Sequence, residues 1–225
     1  MKPFIAALCF LICFPVITAF KSKDPTPHGI ITYNISLRND RVSESIKKRF
    51  SDARMKFIWD SGHSRTSLRL PILNFNIITD QEEALLMMDM GPQKFATPMT
   101  MSQLATYKND KNIDYQAVNK QDQTINLAGY ECKKAVLVAK YKGRKLKMGY
   151  WYTKAIEAPK TSMQYAHKGL EGFPLKMEYL NKDIGGVLSF EVSEVNLEAK
   201  PPPGTFGMHI PEKYQKRSFE ALQGN

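Results

Sequence analysis

Cys132 is followed at once by Lys133 and Lys134. Two adjacent cations would favour the thiolate, the form of cysteine that acts as a nucleophile. On a strand, however, Cys132 would share a face with Tyr130 and Val136, which is the setting of a small buried core thiol. The buried reading outweighs the nucleophilic one. The four histidines, His28, His63, His167 and His209, lie far apart in different predicted loops and tails, none with a second histidine at ligand spacing. No metal centre is expected from them. Glu82, Glu83 and Asp89 could be drawn as paired carboxylates for acid–base work, but adjacent acids in a turn are ordinarily solvated. The chain carries no GxSxG elbow, no HExxH, no phosphate-binding loop and no GxGxxG after a strand. The expectation is a protein that is not an enzyme and needs no cofactor. Of the eleven methionines, Met87, Met88 and Met90 cluster. Flexible thioethers suit a surface that adapts to varied apolar ligands, and they also fill ordinary cores.

These residues need a scaffold, and the stretch Thr124–Thr153 indicates which kind. It reads as two strands folded back on each other. Tyr130, Val136 and Val138 share one parity on the first arm, and Leu146, Met148, Tyr150 and Tyr152 share one on the second. Side chains two apart on a strand point the same way, so each arm offers an apolar face. The reversal falls near Tyr141–Arg144, where Gly143 tolerates positive φ. The parity breaks between Leu127 and Tyr130, and Gly129 points to a bulge there.

The same rhythm runs through most of the chain. Ile31, Tyr33, Ile35 and Leu37 alternate with Thr32, Asn34 and Ser36. Asn34-Ile35-Ser36 matches a glycosylation sequon but sits inside this strand. Val42, Ile46, Phe50 and Ala53 instead fall at helical spacing, with Lys47, Lys48 and Arg49 outside and Asn39 or Asp40 as caps. A short amphipathic helix or an ordered loop is expected over Asp40–Ala53. Strands return from Met55, with turns at Asp60-Ser61-Gly62 and Asp80–Glu83, a stop at Pro71 and a short edge strand over Phe95–Met99. Met101–Lys120 is polar and reads as loop with short fragments, and Ala155–Lys168 reads as a helical turn and loop. Phe173, Leu175, Met177 and Tyr179 give the cleanest alternation, followed by a turn and a strand carrying Leu188, Phe190 and Val192. Phe206, Met208 and Ile210 form a small apolar tail, ahead of a frayed polar helix. Turns about every ten residues argue an antiparallel meander. The fold class expected is mainly β, about eight to eleven strands with one or two short helices, in a sheet that must curl to hide its apolar face.

Composition bounds the surroundings. Lys and Arg outnumber Asp and Glu by 32 to 22, a formal charge of +10 over 225 residues. That balance favours anionic neighbours or serves solubility. No dense basic run and no interleaving of arginine with aromatics occurs, so no nucleic-acid partner is expected. Lys2 followed by the apolar run Phe4–Ile17 and by Ala19 reads as a cleavable signal peptide. The expected division is a signal at 1–19, a leader at 20–28, one β domain at 29–214 and a tail at 215–225. The exported chain would keep a single cysteine and no internal disulfide.

Several short motifs occur in a fixed order: NIITDQEEALLMMD (Asn76–Asp89), TINLAGYECKKAVL (Thr124–Leu137), MGYWYT (Met148–Thr153), GLEGFPLKMEY (Gly169–Tyr179) and FGMHIPEKY (Phe206–Tyr214). This order resembles a family of secreted bacterial proteins known as a domain of unknown function. Leu127 stands where isoleucine is common in that family, and Phe173 separates Gly172 from Pro174. The resemblance implies a fold similar to the lipoprotein carriers of the bacterial envelope, LolA-like and LppX-like: a strongly curved antiparallel half-barrel with helices across its open side. It carries over no catalytic residue. What it implies is an exported, periplasmic or secreted protein holding a hydrophobic or lipidic ligand in the concave face. By parity, the lining candidates are Met87, Tyr150, Tyr152, Met177 and Tyr179. The alternative is a module that docks to an envelope protein or an anionic membrane surface through its basic side, with Lys47, Lys48 and Arg49 in contact.

Overall fold

The computed structural model describes residues 27–38, 43–108, 113–141, 144–158, 172–181 and 186–222. The signal segment, the Asn39/Asp40 caps, the Gly143 reversal, His167 and most of the expected 155–168 loop lie outside them.

The strands are β1 (His28–Arg38), β2 (Arg54–Asp60), β3 (His63–Leu70), β4 (Leu73–Thr79), β5 (Glu83–Met90), β6 (Gln93–Thr100), β7 (Ile113–Leu127), β8 (Tyr130–Tyr141), β9 (Arg144–Thr153), β10 (Phe173–Asn181), β11 (Gly186–Asn196) and β12 (Gln215–Lys216). Among the described residues three short helices accompany them: α1 (Glu44–Arg49), α2 (Met101–Lys108) and α3 (Phe219–Leu222). All twelve strands form one open sheet in the order β12-β6-β5-β4-β3-β2-β1-β11-β10-β9-β8-β7. Every pairing is antiparallel except the two-residue match of β12 with β6. Two meanders, β2–β6 and β7–β11, are thus joined through β1, which pairs with β2 on one side and β11 on the other.

The turns explain the first meander. Ser61 and Gly62 both have positive φ, the geometry that matches a two-residue hairpin to the twist of its strands. The Asp80 carboxylate accepts the backbone N–H groups of Glu82 and Glu83 at 2.8 and 2.7 Å. These bonds hold its pKa below the usual carboxylate range.

The second meander departs from expectation. Ala128 and Gly129 both have positive φ and make a tight turn, with the Gly129 N–H donated to Asn126 Oδ1 at 3.1 Å. The break in parity at Gly129 is therefore a hairpin reversal rather than a bulge. Thr124–Thr153 spans the end of β7 and all of β8 and β9. The Met101–Lys120 segment, expected to be loop, contains α2 and the start of the 15-residue β7. β7 is an edge strand whose described residues are largely exposed, so it carries no apolar alternation to read. On β8 the buried side chains are Cys132, Ala135, Leu137 and Ala139, while Val136 and Val138 are only partly buried. The expected face holds at Tyr130 and Cys132 and is reversed from Ala135 onward.

The sheet is strongly curved. β2 and β10 are separated by β1 and β11, three strand spacings or roughly 14 Å along a flat sheet. Yet the rings of Phe57 and Phe173 stack with centroids 5.9 Å apart, and those of Trp59 and Phe173 lie 6.5 Å apart. The Tyr33 hydroxyl on β1 donates to the Pro174 carbonyl on β10 at 2.8 Å. The face bearing Tyr33, Phe57, Trp59 and Phe173 is therefore the concave one, and it carries the main hydrophobic core. Gly29 is required there: a Cβ would lie 2.3 Å from the Trp59 ring directly across the strand pair. Leu104 of α2 is buried in this core, and Phe219 and Leu222 of α3 pack against it.

Candidate functional site

On the concave face of the second meander, Met177 lies opposite Tyr150, and Tyr179 opposite Met148. The hydroxyls of Tyr150 and Tyr179 are 3.4 Å apart, and each approaches a methionine sulfur at 3.8 Å. The Tyr179 ring meets Phe190 edge-on at 5.8 Å. Burial drives the Tyr33 and Tyr179 hydroxyls well above the ordinary tyrosine range, so both are neutral dipoles in an apolar setting. Tyr150, Met177 and Tyr179 are thus brought together, as their parity predicts. Tyr152 is buried on the same strand but outside the main core cluster. Met87 belongs elsewhere. It lies on the opposite, convex face with Ile78, Leu85 and Ala96, beneath Phe206, Met208, Ile210 and Tyr214. β5 is apolar on both faces, so alternation could not assign Met87 to one of them.

The concave face of the first meander holds hydroxyls that motif reasoning missed. Ser64 and Thr79 satisfy each other at 2.7 Å. Thr66 and Thr97, in the row Thr66–Ile77–Leu86–Thr97 across β3 to β6, are buried with no hydrogen-bond partner for Oγ1. A buried hydroxyl left unsatisfied costs about 1–3 kcal/mol. For Thr97, set between Phe95 and Met99 at strand parity, the signal was available; Thr66 follows Ser64 and gave none.

Cys132 is fully buried and unpaired in any disulfide. Burial pushes its thiol up to about 11, opposite to the activation that the lysines would bring. Lys133 is exposed, and Lys134 turns to Gln123 and to the Trp151 ring. The carboxylates do not pair. Glu83 and Asp89 sit at opposite ends of β5, about 20 Å apart along the strand, and Asp89 accepts a bond from Lys94 at 2.7 Å. The histidines are less scattered than their spacing implies: His28 and His63 both lie opposite Asp60 at the strand ends. Among the described residues no group of three metal-ligating side chains could hold an ion. No helix among them is long and apolar enough to cross a membrane. On α1, Lys47 is engaged by Glu44 at 2.7 Å, while Lys48 and Arg49 are exposed.

The convex face of the first meander carries a second concavity, a groove of about 390 Å³. Arg54, Lys56, Arg65 and Arg69 line it, with Asn74 and Tyr214 among its walls.

No protein family matches the chain, and no curated protein does. Solved structures similar to it include a DUF1329 family protein from Desulfovibrio piger, at 7% identity and TM-score 0.34, covering 81% of this chain and 90% of that one. Another is an outer membrane lipoprotein-sorting protein domain from Vibrio parahaemolyticus, at 10% identity and TM-score 0.26, covering 82% and 91%. At such scores the likeness carries no inference about this chain's ligand or location.

Proposed function

We propose that this is a non-enzymatic, exported envelope protein that holds a hydrophobic or lipidic ligand against the concave face of its sheet. The observation that carries this reading is the pair of buried, partnerless hydroxyls on Thr66 and Thr97, set in an otherwise apolar concave row. A ligand with an apolar body and a few polar atoms would satisfy them. The methionines around them and beyond, Met55, Met88, Met99, Met148 and Met177, supply side chains that can shift to admit it. The export part of the reading rests on the apolar N-terminal run.

Protein purified from its own host should carry lipid detectable by native mass spectrometry. A Thr66→Val/Thr97→Val variant should stay folded and retain less of it. Protein that emerges empty and also fails to bind a long-chain fatty acid would end the proposal.

A further inference from the structure

The groove on the convex face has a one-sided charge. Four of its lining side chains are cations, and the one acid among them, Asp89, is already matched by Lys94 at 2.7 Å. Two of the cations are held in place from within. The Arg65 guanidinium donates to Ser67 Oγ at 3.2 Å, to Asn76 Oδ1 at 3.0 Å and to the Thr205 carbonyl at 3.2 Å. Arg54 Nη1 donates to the carbonyls of Ser51 and Ala53, each at 2.8 Å. These acceptors are neutral, so they orient the two guanidinium groups without cancelling their charge. Lys56 and Arg69 are exposed, and neither side chain makes a hydrogen bond or ion pair among the described residues.

The arrangement works against the fold. Arg54 and Arg69 lie directly opposite each other on β2 and β3, and like charges so placed destabilise a sheet. The side chains facing the other flank of Arg54 and Lys56 are Asn34 and Thr32 of β1, both uncharged. The next acids across are Glu191 and Glu194 on β11, and Glu191 is paired with Lys176 at 2.7 Å. Among the described residues that line the groove, no acid other than Asp89 faces these cations. Planar guanidinium forks held by neutral acceptors, with a mobile ammonium beside them, match the oxygens of a phosphate better than a single carboxylate. The volume lies within the span of small-ligand sites, roughly 300–1,000 Å³.

We propose that this groove binds a phosphate-bearing group, supplied by a lipid head group or by a soluble phosphate compound. Arg54 and Arg65 form the fixed part of the site, Lys56 and Arg69 close on the ligand, and Tyr214 walls it. The site is on the face opposite the proposed apolar one and does not rest on that reading.

Two probes at low salt separate the sources. Calorimetry of the full chain with inorganic pyrophosphate tests a soluble ligand. Co-sedimentation with phosphatidylcholine vesicles, with and without phosphatidylglycerol, tests a head group. Lys56→Gln/Arg69→Gln removes two exposed charges that have no partner among the described residues, so folding is preserved. It should weaken binding about tenfold or more. Lys48→Gln/Arg49→Gln removes the same net charge from α1 and should change binding by less than about twofold. Binding to pyrophosphate alone assigns a soluble ligand, and binding to the anionic vesicles alone assigns a head group. The proposal is overturned if the unmodified chain binds neither probe, or if the α1 variant loses as much as the groove variant. Neither result would touch lipid retention on the concave face.

Discussion

Leu85 and Leu86 are neighbours on β5, equally buried, and serve opposite faces of the same sheet. Leu86 points into the concave side, where curvature brings distant strands into contact and the sheet covers itself. Leu85 points to the convex side, which curvature opens. Around Leu85 that side is covered by Phe206, Met208, Ile210 and Tyr214, which the chain lays across it. Beyond this strap the convex face turns polar and cationic within two strands, at Arg65, Lys56 and Arg54. The concave face takes its cover from the bend of the backbone, with α2 and α3 packed against it. The convex face has whatever is placed on it, and that freedom leaves room for an open charged groove.

The strongest way to break this contrast is to remove a ring that joins the two meanders. Phe173→Ala empties a fully buried site against Phe57 and Trp59 and should cost about 3–5 kcal/mol in urea unfolding. A loss near that of a surface substitution would mean that the meanders are not packed together. Next comes Cys132. With its thiol raised from 9.0 to about 11, the thiolate fraction at pH 8 falls roughly hundredfold. Iodoacetamide should label the native protein correspondingly slowly and the urea-unfolded chain at the ordinary rate. The sign for stability follows from the same shift. The folded state holds its proton longer than the unfolded chain, so no stability is lost below pH 9.0, and it declines as pH rises toward about 11. Tyr33 and Tyr179, raised by burial as well, extend that decline to higher pH. On the convex side the expected losses are smaller. Phe206 is only partly buried, so Phe206→Ala should cost about 1–2 kcal/mol. It should leave near-UV signals from Trp59 unchanged, since the strap touches the other face.

How far these regions could be read from the sequence follows the same division. Tyr150, Met177 and Tyr179 were legible because one face of β9 and β10 is apolar and the other is not. Lys176 and Trp151 on the outer side stack at 5.2 Å and meet solvent. Met87 was not legible: Ala84–Met88 is apolar throughout, the pattern of a strand buried on both sides, and period two has nothing to report there. β7 failed for the opposite reason, since an exposed edge strand buries too little to leave a pattern. On β8 the alanines carry the core because β9 supplies the bulk opposite them. Ala135 faces Tyr150 and Ala139 faces Leu146, and the larger valines drew the reading to the wrong face. The groove was invisible to motif scanning because Arg54, Arg65 and Arg69 belong to two strands and meet only through register.

The smallest effect tests the contrast most directly. If the convex face keeps Arg54 opposite Arg69 at a cost to the fold, then Arg69→Gln should stabilise the protein, by roughly 0.2–1 kcal/mol. Most surface substitutions of a folded chain are neutral or harmful, so a gain in urea midpoint is itself informative. Its electrostatic origin can be checked by salt. The two guanidinium groups are exposed enough to be screened, with a Debye length of about 10 Å at 0.1 M, so the gain should shrink as salt is added. A gain independent of salt would point to packing or to the unfolded state instead. No like-charged pair is buried among the described residues of the main core cluster. Removing a side chain there should never help by this route, and the two faces should answer the same kind of substitution with opposite signs.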